Sequence, residues 1–548
     1  QFGFDSKNPD PNVIAKVKQA IVSPTGDKFI TTVASNHLRE STRSIIVADA
    51  TLLQVGQWVM LTRLDDRRAT INAAVAPYQT ESGWTAINNG LRSQEFHQIT
   101  AISGNDITFA APIHHAVTAD GYWGLKHAAM LENVGIENLT LKGNWQANFV
   151  HHKSGVHDGG WSMLRLSNVN NSWVRNVTFS DVNVGLTTSN TAATTLEDIT
   201  FNGNPGHLSL DINSSTHVLA RNIQDLARHW HAAGFSHRAV GNVLTESWHA
   251  PDRYHNLHAD QPYANLIDKN VGGWNYGLMG GSIGQQPNHL KYLVFWNNNN
   301  TAPSNGIYNW SFMRHDSKYG RVIMPYVVGL SGWTFNRIET QQRYRANLSG
   351  TPQAHIQPST QIDSLYEAQL LQRRCVSGQI DTNLLGDWPL AGSTTDLSCN
   401  QNKAISFATT PGSFNGIDER IELGDFDHIT RLEFDVRYSS WNTAKASFIV
   451  SKWDYGTKNP YYIQLGKTGK LSARVNGKGI NAGNLGDGNW HHIVMTLNGN
   501  ILGLNVDGTD HGIVTVILPA SNNFPFSVGS TAKNTYPFTG DVENVKLY

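Results

Sequence analysis

The chain has 548 residues, of which 39% are apolar and 16% charged, with a formal net charge of −1. That length predicts two or three domains. The composition excludes a disordered chain and a basic nucleic-acid binder, and no apolar run approaches the roughly 18 residues of a membrane-spanning helix. Abundant Gly (49 residues) with sparse charge points to turn-rich β-structure.

The chain opens at Gln1, which fits either a processed export signal or a trimmed chain. Early β-like runs are Ser44–Val47 and Trp58–Leu61. A later pair of strands turns at Gly104-Asn105. These first 120 or so residues are expected to cap a larger stack.

A repeat then begins, with a polar residue before an apolar pair or alternation at Asn138, Asn176, Asp198, Asn222, Asn242, Asn265 and near Tyr292. After an enlarged first gap the steps are 22, 24, 20, 23 and 27 residues, about one coil of three short strands. Such coils bury their apolar faces only by stacking on one another. The prediction is an all-β chain: a right-handed single-stranded parallel β-helix with its N-terminal cap over 1–350. A linker with a short helix spans 351–384, and an antiparallel β-sandwich follows over 385–548. Cys375 and Cys399 are expected to form one disulfide across that junction, two free thiols being the alternative. The disulfide supports a secreted, extracellular or periplasmic, protein, and a monomer is expected.

The richest chemistry falls between Arg228 and His289, where seven histidines accompany Trp230, Trp248, Trp274, Tyr254, Tyr263 and Tyr276. Aligned coils place His237-Arg238 beside His258-Ala259-Asp260, one strand spacing apart. The first gap holds His151, His152, Lys153, His157 and Asp158 and is expected to wall the same groove. A single histidine is more often an ordinary hydrogen-bonded group, but here ionisable and aromatic side chains replace the Thr, Ser and Val of other coils. Aromatic faces suit sugar rings. A lyase acting on a uronate polymer needs a cation at the C5 carboxylate, a base for the C5 proton and an acid for O4. His237, His258 and Tyr254 are candidates for proton transfer, Arg238 and Lys153 for charge neutralisation. Trp230, Trp248, Trp274, Asp260 and His152 are candidates for substrate binding. A glycoside hydrolase would instead need two carboxyl groups, drawn from Glu246, Asp252, Asp260 and Asp268. The third alternative is a tailspike-like protein that only binds glycans. The partner expected is a polysaccharide, neither nucleic acid nor membrane.

From residue 385 the strands resemble the laminin-G-like, concanavalin-type jelly roll. The likeness rests on Trp490-His491-His492-Ile493-Val494, the hairpin Leu497-Asn498-Gly499-Asn500, Asn505-Val506-Asp507-Gly508 and the closing Phe538-Thr539-Gly540-Asp541-Val542. It implies a carbohydrate-binding module in which the Trp-His-His segment is a structural strand. The whole layout resembles bacterial β-helix polysaccharide lyases and related glycosidases, nearest to those acting on algal anionic polysaccharides of the alginate and fucoidan type. The Asp clusters that bind calcium in pectate lyases have no obvious counterpart, so no cofactor is expected; a structural calcium in the jelly roll is the open alternative.

Overall fold

The computed structural model describes residues 29–548 apart from 38, 40–41, 77–79, 81, 146–147, 274–282, 302–321, 324, 333–354, 358, 361, 382, 428, 454–460 and 520–521. It divides into two units, Gln1–Tyr366 and Glu367–Tyr548.

The first unit opens with a six-stranded antiparallel sheet built from Thr31–Thr32, Ser44–Ile46, Trp58–Asp65, Leu91–Ser103, Asp106–Phe109 and Trp123–His127. Its hairpin turns at Gly104, where φ is +59°, a conformation that glycine adopts without a Cβ clash. A buried polar network joins this cap to the coils beneath. Glu95 accepts hydrogen bonds from His97, from His115 Nδ1 and from the backbone N–H groups of His114 and His115. The ring of His115 stacks on Tyr263 at 4.0 Å. Burial works against the Glu95 charge, but these donors outweigh it and hold the carboxyl well below its ordinary range.

Parallel pairing begins at Leu131–Glu132 and continues to His355–Gln357. Strands stack with one residue above its equivalent in the next coil, so apolar residues form continuous columns. One runs Val174, Leu196, Ala220, Leu244, Ile267, Phe295 and Val327, all at most 2% exposed. This is the solenoid core that the repeat implied.

The repeat's anchor residues are bends with φ near +50°. They are Asn138, Asn176, Asp198, Asn222, Glu246, Lys269 and Asn297. Asn and Asp tolerate this conformation best, and their side chains hydrogen-bond up the stack: Asn176 Nδ2 to Asn138 Oδ1 at 2.8 Å and Asn222 Nδ2 to Asp198 Oδ1 at 2.7 Å. The expected series through Asn242 and Asn265 is therefore out of register by four residues. Val218 faces the amide of Asn242 and Asn222 faces Glu246. At Glu246 and Lys269 ion pairs replace the amide ladder: Arg221 reaches Glu246 at 2.8 Å and Lys269 lies 3.7 Å from it. Asn242 and Asn265 form a separate buried ladder, joined at 2.9 Å.

In the second unit, two seven-stranded antiparallel sheets enclose their own core around Trp388, Phe434 and Phe538. Trp490–Asn498 pairs on both sides, with Arg431–Arg437 and Ile501–Val506. Ile493, Met495 and Leu497 point into the core, while Trp490 and His492 are on the outer side. The helix Leu365–Val376 carries Cys375, which is bonded to Cys399. The bond lies within the second unit and does not bridge the two units.

Candidate active site

Five short strands, Ser162–Ser167, Val184–Ser189, Leu208–Asn213, Ala232–Ser236 and His255–His258, make a second parallel sheet of the β-helix. Alternation sends Leu166, Thr188, Ile212, Phe235 and Leu257 inward as one column. The neighbouring residues face outward. One outer column is Ser167, Ser189, Asn213, Ser236 and His258; the next is Arg165, Thr187, Asp211 and Gly234. A side chain at Gly234 would collide with Asn256 O at 1.8 Å, so the glycine lets the bulged next strand close over it. Asp211 is placed within reach of His237, Arg165 and Ser236, and its Oδ1 is buried without a partner. Burial pushes its carboxyl above the ordinary carboxylate range despite those neighbours.

At the entry to the same strands, successive coils stack His207, His231 and Tyr254. His231 N–H bonds His207 O at 2.9 Å, and Ala232 N–H bonds Tyr254 O at 3.0 Å. The insertion of the enlarged coil brings His151 against them: its ring lies 5.0 Å from Trp230, 5.2 Å from His207 and 5.4 Å from His231. His231 in turn meets Tyr254 edge-on at 5.8 Å. His151 Nε2, His231 Nδ1 and Tyr254 Oη are buried and have no hydrogen-bond partner. Burial, then mutual repulsion, lowers the imidazoles; His151 and His258 fall to about 4. Burial raises the Tyr254 phenol to about 12. The groups are thus neutral at neutral pH: imidazoles with free lone pairs beside a phenol that keeps its proton.

The residues singled out from sequence are distributed unevenly. His258 stands in the outer column, and His237 occupies the adjoining turn with φ +54°, its N–H bonding His258 O at 3.2 Å. Tyr254, Trp230 and His152 belong to the imidazole cluster. Arg238 faces elsewhere. It lines a cavity of about 480 Å³ under the cap, with Arg63, Arg92, Lys126, Asn168 and Asn190. Its Nε is buried without a partner, and burial lowers the guanidinium pKa, opposed by nearby Asp260. Lys153 is exposed in the turn before the helix Gly155–Gly159. Trp248 departs from expectation: it pairs with Gln224 and Val271 on the longer sheet, because the Glu246 bend carries the chain onto that face first. Trp274, with Tyr276, lies outside the described residues.

The carboxylates proposed for hydrolysis are mostly engaged. Glu246 is paired with Arg221 and Lys269, and Asp252 with Arg228 at 2.7 Å and Arg253 at 3.2 Å. Asp268 accepts from Ser364 at 2.5 Å and from the Tyr366 N–H at 3.1 Å, which ties down the end of the unit. Asp260 has an unpartnered buried Oδ1 beside Arg238, in the cap cavity's neighbourhood. His207, Asp211 and Arg165 were missed. Counting one coil back from His231 would have reached His207, but Asp211 and Arg165 give no local signal.

Two segments match known families. Residues 228–382 match a family described as "Domain of unknown function (DUF4955)". Residues 421–548 match the concanavalin A-like lectin/glucanases superfamily. The second unit is a laminin-G-like jelly roll. No curated protein matches the chain. Among solved structures, a Trypanosoma rangeli sialidase mutant with trans-sialidase activity is similar at 16% identity, over 30% of each chain, with a TM-score of 0.26. The botulinum neurotoxin serotype D binding domain is similar at 9% identity, over 31% of this chain and 48% of its own, with a TM-score of 0.26. Domain 4 of AbnA, a GH43 extracellular arabinanase from Geobacillus stearothermophilus, is similar at 13% identity, over 30% of this chain and 91% of that domain, with a TM-score of 0.24. This chain spans about 30% of the sialidase's length. Likenesses this partial carry no weight for the chemistry of the β-helix.

Proposed function

We propose that this protein is a secreted carbohydrate-active enzyme that cleaves a uronate-containing polysaccharide by β-elimination. The observation that carries this reading is the convergence, on one outer face, of imidazole and phenol groups that no protein group satisfies. In the proposed step His258, the partly exposed imidazole of the outer column, takes the C5 proton. The electron pair forms the C4=C5 double bond, the C4–O4 bond breaks, and O4 takes a proton from Tyr254. The cap cavity, with Arg63, Arg92, Lys126 and Arg238 on its walls, supplies cations for the carboxylates or sulfates of an anionic chain. The disulfide supports export to an oxidising compartment, and the jelly roll supports glycan binding by the second unit.

A hydrolase is the second reading, favoured by Asp211, a carboxyl that burial pushes above the ordinary carboxylate range. Of the carboxylates drawn from the sequence for that role, Glu246, Asp252 and Asp268 are each bound elsewhere, and Asp260 lies beside Arg238. Incubation with a panel of anionic polysaccharides, alginate and fucoidan among them, tests both. New ultraviolet absorbance from unsaturated uronate ends means elimination, and reducing ends without that absorbance mean hydrolysis. Binding with neither product leaves the glycan-binding alternative.

A further inference from the structure

The imidazoles of the insertion and of the coil below it have an arrangement that proton transfer does not require. One ring nitrogen from each of His151, His152 and His207 lies within 4.8 Å of the other two. Asp158 stands behind two of them. Its backbone carbonyl accepts from His207 Nδ1 at 2.8 Å, and its carboxylate accepts from His152 Nδ1 at 3.2 Å. The carboxylate is itself fixed by the His152 N–H at 2.9 Å. A carbonyl oxygen can only accept, so His207 must carry its proton on Nδ1. The same holds for His152 against an ionised carboxylate. Both rings therefore present Nε2 as a free lone pair, which is how a carboxylate or carbonyl behind a histidine orients a metal ligand. The third ring needs no such support to be available, because His151 Nε2 is buried with no partner.

We infer that His151, His152 and His207 bind one transition-metal dication of the zinc class, with Asp158 as the group that orients them. Three neutral imidazoles and one open position make the donor set of a catalytic zinc site. Calcium and magnesium are excluded by the same set, since both prefer oxygen ligands. Zinc–nitrogen bonds of roughly 2.1 Å bring donors to about 3.4 Å from one another, so binding draws the exposed His152 and its turn inward by about an ångström. The ring of His231, 5.3 Å from His207 and 5.4 Å from His151, borders the site. The site therefore adjoins the imidazole cluster on which the elimination reading rests. Metal binding itself does not rest on that reading, and its test does not use turnover.

The test uses the full chain, stripped with a chelator and titrated with Co²⁺ followed by its visible absorption. One ion per chain is expected, with the intense bands of a low-coordinate site; Zn²⁺ should displace it and Ca²⁺ should not. His152→Ala is the decisive variant, because that side chain is 67% exposed and its loss leaves the fold intact. It should weaken Co²⁺ binding by at least about tenfold, and Asp158→Asn by about 10- to 100-fold. Absence of saturable binding, unchanged affinity in His152→Ala, or displacement of Co²⁺ by Ca²⁺ would each overturn the assignment.

Discussion

In the β-helix, His255 and His289 are fully buried and bonded to backbone carbonyls, and burial drives them down to about 3 and about 4. In the jelly roll, His491 bridges Asp507 at 2.7 Å and Asp487 at 3.1 Å. Partial burial opposes its charge, but those carboxylates win and raise it. His492 likewise faces Asp435 directly across the strand pair, at 2.6 Å. The difference follows from the two kinds of sheet. Parallel coils place equivalent positions of consecutive repeats about 4.8 Å apart, so like residues crowd one another and lose water together. Antiparallel strands set unlike stretches opposite each other, which lets a histidine meet a carboxylate. One residue type thus meets desolvation in the first unit and carboxylate partners in the second.

The largest test of that contrast is catalytic. Tyr254→Phe and His258→Ala should each lower kcat/KM for polymer cleavage by about 10²- to 10⁴-fold, while His491→Ala leaves it unchanged. Full activity in both β-helix variants would remove the elimination reading.

Next is the buried network under the cap. Glu95→Gln leaves the donors of His97, His115 and two backbone N–H groups without their anion. It should cost about 3–5 kcal/mol, visible in calorimetry as a lowered β-helix transition with the jelly-roll transition unmoved. A loss below 1 kcal/mol would show that the carboxylate does not tie the cap down.

The bend ladder should respond more weakly. Asn222→Ala keeps φ at +52°, removes the bond to Asp198, and should cost about 1–2 kcal/mol. Asn222→Gly should recover part of it, because glycine relieves the backbone but not the lost bond.

The test that separates the units most directly is pH. His255 and His289 have folded pKa values below the ordinary 6.5, so their neutral burial favours folding above that value. The advantage is lost as pH falls from about 6.5 toward their folded values. His491 is raised, so its pairing favours folding below 6.5 and is lost as pH rises through its folded pKa. Lowering the pH from 7.5 to 5 should therefore lower the β-helix transition and leave the jelly-roll transition level or higher. A parallel fall of both would contradict the contrast.

Much of the architecture was legible because it depends on periodicity. Coil-length steps between polar residues reported a stack of parallel strands, while the sandwich was implied by the likeness of Trp490-His491-His492-Ile493-Val494 and its neighbours to a laminin-G-like jelly roll. The register slip at Asn242 came from treating Asn as the marker, whereas the constraint is a left-handed backbone bend that Glu246 and Lys269 also fill once ion pairs replace the amide ladder. The same limit applies to the site. His237, His258, Tyr254 and Trp230 stood out by type within one crowded stretch, but Trp248 belonged to a different face and Arg238 to the cavity under the cap. His207, Asp211 and Arg165 sit in unremarkable coils and became visible only when stacked.

The sequence by itself determined that a coil-length repeat precedes antiparallel strands and that histidines crowd its middle coils, since each follows from local spacing and residue type. Tertiary structure alone decided which of those histidines share a face, which lose their water and which find a carboxylate. Those outcomes depend on neighbours 22 to 28 residues away in the next coil, or in an insertion folded back onto the coils, where desolvation and pairing fix the charge a side chain carries.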